Sequence, residues 1–191
     1  ISVMPGHAGL VLDTLNYVTP PPSLPYSVNL QVSDTVPSAT TSPTVFLSAS
    51  LASVTYELTT VESILSGVDS KAKATYGDGL LSYSEEPGIG ASLLVTYDAP
   101  SSTSLDFLSF GDSFYTDILS TDDNIKVFFT VTSSSGTSTA SFISSVVTSP
   151  GLRETLGFAA FVGSADFSAV TQVTAFFTSD ASTTGLGTQF G

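Results

Sequence analysis

The stretch IKVFFTVTSSSGTSTASFISSVV, residues 125–147, decides the class of fold. Val127, Phe129 and Val131 alternate with Phe128, Thr130 and Thr132. A two-residue period of this kind marks a strand with one buried face. Ser134-Ser135-Gly136 supplies a turn, and the chain then returns as a second strand. Lys126 carries the only charge, and nearly every other polar position is a hydroxyl. Thr is the polar residue that best tolerates a strand, so a sheet wet on one side can use hydroxyls in place of charges. Phe128 departs from this pattern. It lies on the nominally wet face and calls for cover from a loop or from another subunit.

The same alternation recurs outward in both directions. YSVNLQV (26–32) sets Tyr26, Val28, Leu30 and Val32 against Ser27, Asn29 and Gln31. TVFLSASLASVTYEL (44–58) reads as one long strand or two with a bend, and PSATTSP (37–43) as a loop. TYGDGLLSYS (75–84) places a Gly-Asp-Gly turn before a strand, and ASLLVTYDAP (91–100) is a strand ended by Pro100. SLDFLSF (104–110), SFYTDILS (113–120), TLGFAAFVG (155–163) and VTQVTAFFTS (170–179) complete the series. Only in 59–74 does a helix compete, because Val61, Ile64, Leu65 and Val68 also fit helical spacing. Short strands at intervals of roughly 8–12 residues, with Gly, Ser and Asp turns, indicate an all-β antiparallel sandwich, jelly-roll-like.

An apolar run, AGLVLDTLNYV (8–18), precedes TPPPSLP (19–25), which favours stiff polyproline II. Two parts follow: residues 1–25 as an N-terminal strand extension plus Pro-rich linker, and residues 26–191 as the β-sandwich domain. The 191 residues suffice for one sandwich with a real core.

Charged residues make up 11%, against the roughly 25% usual for soluble domains. The net charge is −13, so nucleic acid and anionic membrane surfaces are poor partners. There is no Cys, which removes disulfides, thiolate metal sites and thiol nucleophiles together. No apolar run reaches the ~18 residues that span a bilayer. The opening ISVMPGHAGL reads as a mature N-terminus left by a removed signal peptide. These features point to an extracellular or cell-surface location.

Gly79-Leu80-Leu81, Thr96-Tyr97-Asp98, Leu105-Asp106-Phe107 and Asp123-Asn124-Ile125 fall in one block, residues 76–141. Ala165-Asp166-Phe167-Ser168 falls in another, residues 157–178. Together the blocks resemble the secreted bacterial β-sandwich proteins of the PEP-CTERM-type (choice-of-anchor) cell-surface class. The resemblance implies an exported envelope or matrix protein without enzymatic activity. Such proteins close with a further strand before a sorting tail. Here GLGTQFG (185–191) stands where that strand would begin, so the sandwich is expected to lack it. The Pro-Glu-Pro motif is not present.

Candidate chemistry is sparse. His7 is the only His and lies in a Pro-Gly context, and no Gly-x-Ser-x-Gly elbow occurs. Glu85-Glu86 and Asp122-Asp123 are paired carboxylates, but no cleft is marked and no Trp is available to stack a sugar. No enzyme is expected. Asp112, Asp117, Asp122 and Asp123 cluster in sequence, with Asp98 and Asp106 upstream. Ca²⁺, which takes six to eight oxygens, is the one cofactor such a cluster suits. The competing reading is that these residues form turns.

The expected function is an extracellular structural protein, a self-assembling subunit of a surface filament, pilus-like fibre or matrix. Leu10, Val11, Leu12, Leu15, Tyr17 and Val18 would enter a neighbouring subunit by strand donation, and Phe128 would be covered there. The alternative is a secreted carbohydrate-binding or adhesive module, calcium-assisted. The partners are then copies of the chain or an extracellular polysaccharide, with no nucleic acid and no membrane span.

Overall fold

The computed structural model describes residues 2–4, 13–17, 28–33, 35–41, 45–47, 53–63, 69–77, 79–145, 151–179 and 186–190. The described strands are β1 (Ser2–Met4), β2 (Asp13–Tyr17), β3 (Val28–Ser33), β4 (Ser38–Thr41), β5 (Val45–Leu47) and β6 (Ser53–Ser63). They continue as β7 (Lys71–Gly77), β8 (Leu80–Glu85), β9 (Ile89–Asp98), β10 (Ser113–Thr121) and β11 (Ile125–Ser133). The series ends with β12 (Gly136–Ser144), β13 (Leu152–Gly157), β14 (Val162–Gly163), β15 (Val170–Thr178) and β16 (Leu186–Phe190). Two single 3-10 turns, Phe107–Ser109 and Phe158–Ala160, interrupt them.

The strands form two seven-stranded antiparallel sheets, a β-sandwich. The first runs β1-β10-β16-β8-β7-β3, with β13 also on β10. Residues 113–115 pair with both β1 and β13, so these two lie along opposite edges of β10. The second runs β14-β12-β11-β15-β9-β6-β4. The chain crosses between the sheets repeatedly, and its alternation is obeyed on both inner faces. Val127, Phe129 and Val131 are buried on β11, as are Ala72, Ala74 and Tyr76 on β7.

Ring pairs join the layers. Phe114 of the first sheet stacks on Phe129 of the second at 5.5 Å and 5°. Tyr76 stacks on Tyr56 at 4.2 Å and 10°, and Phe190 meets Phe177 at 4.9 Å. Each buried ring contributes about 1.5–3 kcal/mol through area removed from water, with a further ~0.5–1.5 kcal/mol available to a well-oriented pair.

Several sequence expectations change. Leu186–Phe190 is a strand, paired on one side with β8 and on the other with β10. The first sheet therefore does not lack a closing strand, and Leu186, Thr188 and Phe190 fill its interior. Val45–Leu47 and Ser53–Ser63 are separate strands, in keeping with one of the two readings of 44–58, whereas Ser38–Thr41 is a strand rather than a loop and 61–63 continue β6 rather than start a helix; Ile64, Leu65 and Val68 lie outside the described residues. Phe107–Ser109 is a 3-10 turn where a strand was expected, because the Asp106 carboxylate accepts the Ser109 N–H.

Described parts of the N-terminal segment pair within the chain. Asp13–Tyr17 pairs antiparallel with Val45–Leu47 of its own chain, and Ser2–Met4 pairs with β10. Leu10, Val11, Leu12 and Val18, like His7 and the proline segment 19–25, lie outside the described residues.

Candidate functional site

The four aspartates singled out for calcium do not come together. Asp112 and Asp122 stand at opposite ends of β10, about 33 Å apart at the rise of an extended strand. Asp112 accepts the Ser113 hydroxyl at 3.0 Å. Asp122 accepts the Gly187 N–H at 2.6 Å and so anchors the start of β16. Asp123 accepts the Asn124 N–H at 2.7 Å, a turn contact. Asp117, in mid-strand, is bound through both oxygens to Arg153, each at 2.6 Å. That hydrogen bond holds the Asp117 carboxyl below its ordinary value. No group of three or more acidic or His side chains able to hold a metal ion occurs among the described residues.

The paired glutamates part company by strand alternation. Glu85 turns inward and Glu86 outward, where it accepts the Lys71 N–H at 2.9 Å. Glu85 accepts the Tyr83 and Ser179 hydroxyls and, at 2.8 Å, the Ala91 N–H. It thereby ties β8 of the first sheet to β9 and the end of β15 in the second. Burial pushes its carboxyl above the ordinary value, against the pull of these three hydrogen bonds. Its partners make it a structural clamp.

Phe128 is exposed, at 42% of its surface, on the outer face of the second sheet. The strand registers extend from it into rows. Phe128 pairs with Phe176 of β15, and Phe176 with Leu94 of β9. The two rings lie 6.1 Å apart at 56°. Ser141 ends this row on one side, and on the other it runs through Glu57 to Thr40 of β4. Two residues along each strand runs Thr139-Thr130-Thr174-Thr96-Thr55, one threonine from each of five strands. On the other flank run Lys126, Thr178, Ser92 and Thr59. Beyond the threonines, Asp98 accepts the Gln172 amide at 2.8 Å and the Ser53 hydroxyl at 3.1 Å.

Strands stand about 4.8 Å apart and side chains on one face recur every ~6.6 Å. The outer face is thus an apolar strip about 10 Å long, with the threonine row ~6.6 Å away on one side and a mixed row of Ile143, Lys126, Thr178, the buried Ser92 and Thr59 on the other. The threonine row spans about 19 Å. Of its members only Phe128 was singled out from sequence. Phe176 was missed, although Val173, Ala175 and Phe177 all point inward and leave it outward by alternation. The adjacency of Phe128, Phe176 and Leu94 depends on register between strands distant in sequence, and no local pattern encodes it.

No protein-family model matches the chain, and no curated protein matches it. Among solved structures the chain is similar to the agarase AgWH50C, with 9% identity and a TM-score of 0.40. That match covers 70% of this chain and only 21% of the agarase. It is also similar to the family 11 carbohydrate-binding module of the cellulosomal cellulase Lic26A-Cel5E of Clostridium thermocellum. There the identity is 13% and the TM-score 0.35, over 85% of this chain and 94% of the module. The family 11 module from Clostridium thermocellum in complex with a β-1,3-1,4-mixed-linked tetrasaccharide gives 11% and 0.34. At TM-scores this low none of these likenesses bears on what this chain binds.

Proposed function

We propose that the chain is a secreted, non-catalytic module that binds a neutral polysaccharide on the outer face of its second sheet. The observation that carries this reading is the strip Phe128-Phe176-Leu94 beside a row of five threonines. A pyranose ring presents apolar C–H faces and a polar rim. The apolar strip takes the faces, and the threonine hydroxyls ~6.6 Å away take the rim. The polymer runs across the strands, along the strip.

A neutral ligand follows from charge. The chain is strongly acidic, at −13, which disfavours a polyanion. Binding without cleavage is supported by the placement of the two described carboxylates on the face. Glu57 stands level with Leu94, and Asp98 lies four residues further along β9, about 13 Å away. Glycoside hydrolysis needs two carboxyl groups ~5–9.5 Å apart, and Asp98 is already engaged by Gln172 and Ser53. The low-charge, Cys-free composition supports the extracellular setting.

Affinity electrophoresis through gels carrying neutral or anionic polysaccharides tests the reading. The expected result is retardation by at least one neutral polymer, weakened about tenfold by Phe128→Ala, the cost of one truncated anchor of ~1.4 kcal/mol. Retardation by polyanions alone, or binding that Phe128→Ala leaves unchanged, overturns it.

A further inference from the structure

The four outer edges of the sandwich are protected unequally. β13 carries Arg153 and Glu154. β4 has four residues and is bracketed in sequence by Pro37 and Pro43. β3 is bracketed by Pro25 and Asp34. β12, with the sequence GTSTASFIS, has nine residues and no charge or proline, and its register with β11 has no bulge. Charges, prolines, bulges and shortness are the devices that keep sheet edges from pairing, and β12 has none of them.

Part of this edge is already occupied. Thr139 and Ser138 pair with Val162 and Gly163, and the Ser164 N–H donates to the Thr137 carbonyl at 3.0 Å. Gly163 allows this approach: at its φ of +147° a Cβ would stand 2.1 Å from the Thr137 carbonyl oxygen. Cover stops there. Among the described residues no strand pairs with the outer edge of 140–144. Since Thr137 aims its backbone outward, strand alternation makes Ser141 and Ile143 do the same. Ile143 is also 64% exposed.

We propose that residues 140–144 of β12 form a two-fold interface with the same segment of a second copy, joining the second sheets of two molecules edge to edge. The segment is self-complementary. With the axis at Phe142, Ser141 of one copy stands opposite Ile143 of the other, and the reverse. Both positions aim backbone groups at the edge, so four N–H···O=C bonds form. Phe142 faces its own counterpart at a position without hydrogen bonds, and Ile143 covers the small Ser141 across the axis. In a chain of net charge −13 an uncharged edge is where two copies meet at least electrostatic cost. The axis stands perpendicular to the sheet, so both outer faces lie on one side. A long polymer then meets two faces at once, which raises avidity. The interface itself does not depend on the polysaccharide reading.

The chain has no Cys, so one introduced thiol reports on this contact alone. In Phe142→Cys, a facing pair without hydrogen bonds places two Cα atoms about 4.5 Å apart, within disulfide range. Mild oxidation is expected to give covalent dimers of Phe142→Cys but not of Ser82→Cys, on the outer face of the first sheet. Phe142 also packs against Phe129, so a second variant stands beside it. Sedimentation equilibrium of the wild type is expected to show a dimer that grows with concentration. Ile143→Lys, at an exposed position, is expected to weaken it about tenfold or more, while Ile143→Val preserves it. A wild type that stays monomeric at high concentration, as it would if another protein's strand were the true occupant, overturns the proposal. So does a dimer that Ile143→Lys leaves intact.

Discussion

The two sheets alternate in the same way yet dress their outer faces differently. The first carries three of the four basic residues, Lys71, Lys73 and Arg153, and sets Arg153 on Asp117 and over the Tyr115 ring at 4.2 Å. The second carries Lys126, a few acids, an apolar strip and a row of threonines. A face that only has to stay wet is served well by charges, which hold water strongly. A face meant to be covered is served better by groups that give up water at lower cost than charges do, as rings and hydrogen-bonded hydroxyls can. The contrast supports the proposal that the second sheet carries the binding face.

The sharpest way to break that contrast lies in two adjacent residues. Phe129 is buried and stacks on Phe114, whereas Phe128 stands on the outer face. Phe129→Ala is expected to lose about 3–5 kcal/mol of stability, as large core truncations do. Phe128→Ala is expected to lose less than ~1 kcal/mol while weakening polysaccharide binding. Urea denaturation of both variants measures the difference. Equal losses would mean that Phe128 is a packing residue and the outer face has no separate role.

Legibility followed the range of the interactions. The hairpin of 125–144 was readable because its pattern is local: period two, a Ser-Ser-Gly turn, and partners adjacent in sequence. β16 was misread because GLGTQFG carries little apolar signal, and its pairing with β8 lies about a hundred residues away. The aspartates looked clustered because sequence distance was taken for spatial distance, while an extended strand separates its two ends by most of a domain's width. Phe128 was legible as an anomaly. Its companions Phe176 and Leu94 were not, since only the register of β15 against β11 and β9 brings them beside it.

Between the two faces lies the shared interior, and Glu85 is the one carboxylic acid among its described buried side chains. Removing it in Glu85→Ala leaves the buried Ala91 N–H without its acceptor, at about 1–3 kcal/mol. Glu85→Gln keeps an acceptor and supplies a donor to Ser179. The raised carboxyl has a definite consequence for pH. Between the ordinary value of 4.5 and the higher folded value, the native state holds a proton that the unfolded chain has released. Stability therefore falls as pH rises through that window. Thermal melts across the mildly acidic range are expected to show this fall in the wild type and a flatter profile in Glu85→Gln. The same slope in both would place the titrating group elsewhere.

The smallest effect tests the first sheet's use of charge. Arg153 and Asp117 are both partly exposed, at 44% and 32%, so water screens the pair. Exposed ion pairs contribute about 0.2–1 kcal/mol, and the two-pronged geometry and the ring beneath Arg153 favour the upper part of that range. Arg153→Ala is expected to lose about that much. Arg153→Lys should recover little of it, because an ammonium cannot match both carboxylate oxygens. The sign of the pH effect is fixed by Asp117, whose folded value lies below the ordinary 3.8. The contribution is fully present above 3.8 and fades as pH falls through the lower folded value, so wild type and Arg153→Ala converge in acid. They also converge in high salt, where screening is complete within a few ångströms. A control on the other face, Thr174→Ala, is expected to show neither dependence. If instead the Arg153 deficit persists at high salt and low pH, the guanidinium stem packing on Tyr115 carries the effect, and the first face is stabilised by contact rather than by charge.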